Sequence, residues 1–161
     1  MIRPFKTEYI PQLLDIYNYY VLNSTATFDL EALTFDVFKE KTIRINNEYP
    51  FIVYEEDHVI LGYAYGSKFR PKPAYHFTVE STVYVKHDTF KKQIGTKLYA
   101  DLLVLLKQAG FRMVMGVLNL PNPASVRLHE KFGFTQVADL KQVGFKFGKW
   151  QDVGFWQRQL D

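Results

Sequence analysis

Residues 75–109, YHFTVESTVYVKHDTFKKQIGTKLYADLLVLLKQA, join a strand pattern to a helix pattern and decide the fold class. Polar and apolar side chains alternate over residues 75–86, which predicts one long strand. Leucines recur at helical spacing over residues 94–109, and Gly110 is a typical helix stop. The loop between them, residues 86–96, leads into a helix N-terminus, where free backbone N–H groups and the helix dipole favour phosphate. Ordinary strand-to-helix connections share this pattern, so the loop is only a candidate phosphate site.

A carboxylate stands in the middle of the predicted strand. Glu80 lies between Thr78 and Thr82 and precedes Val85 by about 17 Å of extended chain. A long cofactor held by its phosphates at the loop would therefore bring its other end close to Glu80.

The rest of the chain supplies further helices and strands. Apolar spacing predicts two helices that begin after the N-cap candidates Thr7 and Thr34, and a short helix at residues 124–132. Aromatic and β-branched runs predict strands at residues 51–54, 59–67, 111–118, 134–143 and 150–158. The order β-α-α-β-β-β-α-β-α-β-β predicts one mixed α/β (α+β) domain over residues 1–161. Its central sheet should be partly antiparallel and flanked by helices.

Composition excludes several classes of protein. With 47% hydrophobic and 23% charged residues, the chain is typical of a globular domain and not of a disordered or fibrous one. The absence of cysteine excludes disulfides, thiolate metal sites and a cysteine nucleophile. We find no leader pattern and no long apolar run, so we expect a cytoplasmic protein without a membrane partner.

The net charge of +3 is unevenly distributed. Residues 1–60 carry a net charge of −5 and residues 61–161 a net charge of +8. A basic later part indicates an anionic partner, either nucleic acid or a phosphorylated cofactor, unless the lysines only maintain solubility. The aromatic residues follow core spacing and do not alternate with Lys or Arg, which argues against a nucleic-acid partner.

Several longer strings carry a resemblance to a known family. VESTVYV (79–85), NLPNPASVRLHEKFGF (119–134) and DVGFWQRQL (152–160), together with STATFD (24–29) and FRPKPAY (69–75), resemble the GNAT acetyltransferase superfamily. Within it, the chain is similar to the phosphinothricin and methionine sulfoximine N-acetyltransferases. The resemblance implies transfer of acetyl from acetyl-CoA to the α-amino group of a small amino-acid analogue, without a metal. It also suggests a homodimer.

The resemblance assigns two catalytic residues. An amine attacks a thioester only when unprotonated, and the matching position makes Glu80 the general base, acting through a water. Burial would raise its pKa toward the working range; the alternative is an ion pair across the sheet. His129 matches the position of the proton donor to the departing thiolate, with a purely structural histidine or a water donor as alternatives.

The resemblance also assigns the cofactor site, with one departure. The superfamily pattern Gln/Arg-x-x-Gly-x-Gly/Ala is replaced by residues 90–95, FKKQIG, in which only the last position matches. A side chain in place of the first glycine would be strained if the backbone there has a positive φ. The lysines of the loop could compensate as point charges. The predicted cofactor residues are Val83, Tyr84, Val85, Lys91, Lys92, Gln93, Ile94, Gly95, Thr96, Asn122 and Ser125, the last two being also plausible helix-capping residues.

The acceptor site is predicted from matching positions in two segments. Arg70, Lys72 and Tyr75 would bind a carboxylate and a second oxygen anion, with Ala74 beside them and Phe28 as an aromatic wall. Lys72 could instead be a solvated loop lysine. Trp150, Phe155 and Trp156 are expected in the core or at a dimer interface. Because of the altered loop, a CoA-binding module with weak or no catalysis remains the alternative to an active enzyme.

Overall fold

The computed structural model describes residues 1–89 and 93–161. In chain order the elements are β1 (Ile2–Pro4), α1 (Ile10–Asn23), α2 (Phe35–Glu48), β2 (Phe51–Glu56), β3 (Val59–Lys68), β4 (Thr78–Val85), α3 (Ile94–Gln108), β5 (Met113–Leu120), α4 (Pro123–Lys131), β6 (Thr135–Lys146) and β7 (Lys149–Gln159). The strands form one seven-stranded sheet in the order β1-β2-β3-β4-β5-β7-β6. Among the strand pairs of the described residues, only β4 and β5 run parallel. The predicted mixed, partly antiparallel sheet with flanking helices is confirmed.

The sheet separates two apolar cores. On one face α3 packs through Leu98, Leu102 and Leu106, which are fully buried against β-strand residues such as Val79. On the other face α1 and α2 cover an aromatic core that includes Phe38. The predicted leucine face of the helix at 94–109 is confirmed. Because α3 covers one face of β4, the other face of β4 lies toward α1 and α2.

The helix starts agree only in part with the sequence. Thr34 caps α2 as predicted, its side chain accepting a hydrogen bond from the Val37 N–H. The prediction that Thr7 caps α1 was wrong. A short 3-10 turn at Thr7–Tyr9 comes first, and α1 begins at Ile10 with a proline in its first turn, where the missing N–H costs nothing.

Several predicted strand boundaries were wrong, among them those of β5, which runs from Met113 to Leu120 and not over residues 111–118. The strand expected at residues 75–86 begins only at Thr78, because Pro73 starts a 3-10 turn through Tyr75. The last two strands are longer than expected, and only Phe147 and Gly148 separate them. Both residues have positive φ values, 53° and 70°, which suits a two-residue hairpin turn.

No helix in the described ranges 1–89 and 93–161 has the length and apolar character needed to cross a membrane.

Candidate active site

The central strands separate beside Glu80. β4 and β5 pair only from Thr78 to Glu80 and from Met113 to Met115. Beyond these residues β4 continues to pair with β3, and β5 with β7. A wedge therefore opens between the two parallel strands in the middle of the sheet.

The register of β4 determines which of its backbone groups face this wedge. The Lys86 N–H donates to Leu61 O, and Lys86 and Leu61 continue the β3–β4 register. In an antiparallel pair the hydrogen-bonded positions alternate, so residues 80, 82 and 84 bond to β3. The N–H groups of Val83 and Val85 then point into the wedge, whereas that of Tyr84 does not.

A cleft of about 310 Å³ occupies the wedge. Its walls come from the segment after α1, from β4, and from the end of β5 with the start of α4. The predicted site residues on its wall are Phe28, Glu80, Val83, Tyr84, Asn122, Ser125 and His129. The fold thus brings together predicted residues from three separate parts of the sequence.

Glu80 has a half-buried carboxylate. Its neighbours across the strands are Ser67 and Met115, neither of which is charged. In the part of the chain that the structure describes, no Lys, Arg or His forms an ion pair with it. Burial raises the pKa of the Glu80 carboxyl, because the charged form is poorly solvated there.

His129 is almost completely buried, with 3% of its surface exposed. Its ring contacts Tyr99 and Phe134 edge-on, and its Nδ1 lies 2.8 Å from Ser125 O. Because a carbonyl can only accept, a neutral ring carries its proton on Nδ1 and leaves Nε2 as an acceptor. Burial lowers the pKa of His129, which favours this neutral form.

The ring of His129 leaves no room for a side chain at Gly116 of β5. A Cβ added at Gly116 would lie 2.5 Å from Nε2 of His129. Real Cβ atoms do not approach a ring so closely, so β5 can pass His129 only with a glycine there.

The start of α3 has the strained backbone that the altered loop suggested. Gln93 precedes the helix with φ 50° and ψ 32°, a left-handed conformation that suits glycine. Ile94 is buried in the α3 core, while Gly95 and Thr96 are half-buried in the first turn. Their backbone N–H groups lie in the first turn of the helix, where they are available to an anion. The predicted cofactor residues Lys91 and Lys92 lie outside the described residues.

Asn122 and Ser125 connect the cleft to α4. The Asn122 side chain accepts a hydrogen bond of 3.2 Å from the Ser125 N–H and so caps the helix. Asn122 and Ser125 also line the cleft. At the end of β4, the Val85 carbonyl accepts a hydrogen bond from the Tyr20 hydroxyl.

The predicted acceptor residues fall into two groups. Phe28 lies on the cleft wall and packs against Gly144 of β6. Arg70, Lys72, Ala74 and Tyr75 are exposed and do not line the cleft. Arg70 lies over the ring of Phe69, which contacts Tyr75 edge-on.

The sequence did not single out the residues that hold the segment carrying Phe28. Lys146 is 3% exposed, and its Nζ donates to Thr27 O at 2.9 Å. The Tyr17 hydroxyl bonds both Thr27 and Asp29, and Thr25 bonds Asn119 of β5. A lysine in a strand of mostly exposed residues gives no signal that its side chain turns inward.

In the described ranges, no three His, Cys, Asp or Glu side chains come together as metal ligands. The chemistry of the cleft therefore has to be derived from Glu80, His129 and the backbone donors of β4.

Comparisons with known proteins place this geometry in a family. The GNAT acetyltransferase domain matches residues 2–154, so the chain belongs to the GNAT acetyltransferase family. A phosphinothricin N-acetyltransferase from Streptomyces viridochromogenes is 40% identical over 99% of this chain and 87% of its own length. An L-methionine sulfoximine/L-methionine sulfone acetyltransferase from Salmonella typhimurium is 33% identical over 92% of this chain and 88% of its own length.

A solved structure gives the same result for the fold. A GNAT superfamily phosphinothricin acetyltransferase from Sinorhizobium meliloti, in complex with AcCoA, superposes with a TM-score of 0.96 at 32% identity. The superposition covers 99% of this chain and 88% of that one. The resemblance to the phosphinothricin and methionine sulfoximine branch is therefore confirmed.

Proposed function

We propose that this protein transfers the acetyl group of acetyl-CoA to the α-amino group of a small amino-acid analogue of the phosphinothricin or methionine sulfoximine type. The observation that carries the proposal is the half-buried carboxylate of Glu80, which forms no ion pair with the described residues and lies where β4 and β5 separate. Burial raises the pKa of this carboxyl. The relatives named for these acceptors add the substrate class.

The residues of the cleft fit acetyl-CoA as co-substrate. The N–H groups of Val83 and Val85 face the wedge, and that of Val85 would pair with an amide of an extended pantetheine arm, as a strand would. The first turn of α3 presents backbone N–H groups to a pyrophosphate. When bound, acetyl-CoA supplies an activated acyl group with a thiolate leaving group.

Glu80 performs the proton transfer that the reaction needs. The acceptor amine loses a proton to the Glu80 carboxylate, through a water, as its nitrogen forms a bond to the thioester carbon and the carbon–sulfur bond breaks. The Val83 N–H is placed to stabilise the negative charge that develops on the thioester oxygen. A raised pKa brings the strength of the base closer to that of the amine it serves.

His129 was predicted to protonate the departing thiolate. Its neutral ring, with the proton on Nδ1, can accept but not donate at Nε2. We therefore assign the thiolate's proton to water in the cleft, and to His129 the role of shaping the wall.

The experiment that tests the proposal follows thiol release from acetyl-CoA with phosphinothricin, methionine sulfoximine and methionine sulfone as acceptors. Acetylated product confirmed by mass spectrometry would support it. No thiol release with any of the three, together with measurable CoA binding, would support the alternative of a CoA-binding module with weak or no catalysis. The strained backbone of Gln93 is the observation in favour of that alternative.

Replacing Gln93 with Gly should raise the free energy of unfolding by roughly 0.5–1 kcal/mol, because a left-handed backbone without Cβ is unstrained. It should also tighten CoA binding. Urea unfolding and calorimetric titration with CoA measure the two effects. The control is Gln93→Ala, which keeps the Cβ and should give neither gain. Weaker CoA binding by Gln93→Gly would show that the glutamine side chain itself contributes to the site.

Replacing Lys146 with Met should loosen the segment that carries Phe28, because the aliphatic stem remains while the hydrogen bond to Thr27 O is lost. We expect a loss of about 1–2 kcal/mol in the free energy of unfolding. The acceptor KM should rise and the acetyl-CoA KM should stay unchanged. Lys149→Met, at an exposed position on the same hairpin, is the control. Equal changes in both KM values would contradict a role confined to this segment.

We further propose a homodimer in the cytoplasm. Large apolar side chains are exposed along the β6–β7 hairpin at the sheet edge, among them Val143, Phe145 and Trp150. Such an exposed apolar edge is typical of an interface. Trp156, by contrast, is buried in the core. The absence of cysteine supports the cytoplasmic location, because a chain that forms no disulfides does not need an oxidising compartment. Light scattering of the purified protein tests the dimer.

A further inference from the structure

A second cavity lies on the opposite side of Glu80 from the end of β5. It has a volume of about 600 Å³ and extends from Glu80 and Thr82 to helix α2. Lys41 and Arg44 project into it from α2, and Lys68 from the end of β3. Glu80 is thus on the wall of both this cavity, here called the α2 cavity, and the cleft between β4 and β5.

The α2 cavity is a cationic environment. Apart from Glu80, Glu48 is the one carboxylate among its described wall residues, against the three cations named above. Its inner wall is the ring of Tyr65, whose hydroxyl is buried and bonds to Thr82. The cavity therefore offers positive charge and hydrogen-bond donors directly beside the proposed base.

Lys41 differs from the other two cations in being partly withdrawn from solvent. It is half-buried, with its ammonium 4.8 Å from the ring centroid of Tyr17. In the described ranges no carboxylate lies within ion-pair distance of it. Burial lowers the pKa of Lys41, partly opposed by the charge of Asp29. A partly desolvated cation that forms no ion pair within the described residues is costly, and an anion from outside the chain would relieve that cost.

The geometry of an α-amino acid connects this cation to the reaction. The amine and the carboxylate are attached to the same carbon atom, so an amine beside Glu80 places its carboxylate close by. The cations that share a cavity with Glu80 are Lys41, Arg44 and Lys68. Arg70 and Lys72, which the sequence predicted for this role, line neither the cleft nor the α2 cavity.

We propose that Lys41 and Arg44 bind the α-carboxylate of the acceptor in the α2 cavity. This inference rests on the proposed function and adds to it the group that selects the acceptor. It requires a free carboxylate on the acceptor, so amino-acid amides and esters are poor substrates. Arg70 and Lys72 are then left for a second polar group farther along the acceptor side chain.

The experiment compares L-methionine sulfone with its carboxamide, which differ only in the charge at the proposed site. Binding to the CoA-loaded protein is measured by calorimetry, and KM by thiol release. Wild type should bind the acid more tightly than the amide. Lys41→Met should weaken binding of the acid by at least about tenfold, as expected for a lost charge-assisted hydrogen bond, and leave binding of the amide unchanged.

Three further variants separate charge from structure. Lys41→Arg should restore most of the preference for the acid. Arg44→Gln, on the exposed side of α2, should shift the preference in the same direction as Lys41→Met without affecting the fold. Lys39→Met is the matched control, because Lys39 is exposed on the same helix and lies outside the α2 cavity. It should behave as wild type.

The outcomes are distinguishable. Equal weakening of acid and amide in Lys41→Met, or an unchanged preference for the acid, would overturn the inference, as would failure of wild type to bind either compound. Binding of the acid with the predicted dependence on Lys41, but without thiol release, would support the carboxylate site and count against the proposed acetyl transfer.

Discussion

Replacing Glu80 with Gln is expected to lower kcat by about 10²–10⁴-fold, the range that a positioned general base contributes. The amide keeps the size of the side chain but cannot take the proton of the acceptor amine. In the proposed complex acetyl-CoA is held by the backbone of β4 and the first turn of α3, so its KM should not change. Steady-state kinetics with each substrate varied in turn measures kcat and the two KM values.

The pH dependence gives the same variant a second signature. Burial raises the pKa of Glu80, so the wild-type rate should fall on the acid side through a pKa above the ordinary range of glutamate. That acid limb should be absent from the Glu80→Gln profile. If the profile keeps its shape, Glu80 is not the base.

The stability of the variant should move in the opposite direction to its activity. A carboxyl whose pKa is raised on folding adds most stability when protonated, below its unfolded pKa, and loses this as pH rises through the folded pKa. Above the folded pKa, wild type carries a half-buried charge that forms no ion pair with the described residues, so Glu80→Gln should have an equal or higher Tm there. A lower Tm would indicate that Glu80 forms a stabilising ion pair. Glu130→Gln, at an exposed position on α4, is the control for the loss of a carboxylate and should leave kcat and Tm unchanged.

Local patterns were enough to predict the strand, loop and helix at the centre of the fold. Alternation along residues 75–86 predicts that Val79 and Tyr84 lie on opposite faces of the strand. In the structure Val79 lies in the α3 core and Tyr84 packs against the opposite core. The leucine spacing of α3 identified its buried face. These features depend on periodicity, which a sequence displays directly.

Features that depend on distant contacts were not predictable in this way. The wedge between β4 and β5 arises from where their pairing ends, and no local pattern marks that residue. Pro73 turned the start of the expected strand into a 3-10 turn, although the alternation of residues 75–77 continued the strand pattern. Lys41 and Lys146 look like ordinary surface lysines until α2 and β6 are placed beside the site.

Gly116 of β5 and the ring of His129 are in close contact. Gly116→Ala would place a Cβ 2.5 Å from Nε2 of a ring that Tyr99 and Phe134 hold in place. We expect the free energy of unfolding to fall by about 1–3 kcal/mol, as for other overpacked sites. Displacement of the ring into the cleft should also lower kcat/KM for acetyl-CoA by roughly 10²-fold, because small misplacements in a site have large kinetic effects. Urea unfolding and initial-rate kinetics measure the two.

A double-mutant cycle with His129→Ala tests the cause. Without the imidazole the added Cβ has space, so Gly116→Ala should cost little stability in the His129→Ala background, giving a coupling of at least about 1 kcal/mol. Additive losses would mean that the clash lies elsewhere.

The kinetics of His129→Ala alone separate the two roles of the ring. If water protonates the thiolate, kcat should fall far less than in Glu80→Gln and show no new dependence on pH. If kcat falls as far as in Glu80→Gln, His129 is the proton donor. The ring would then have to be protonated, although its apolar surroundings disfavour the charged form.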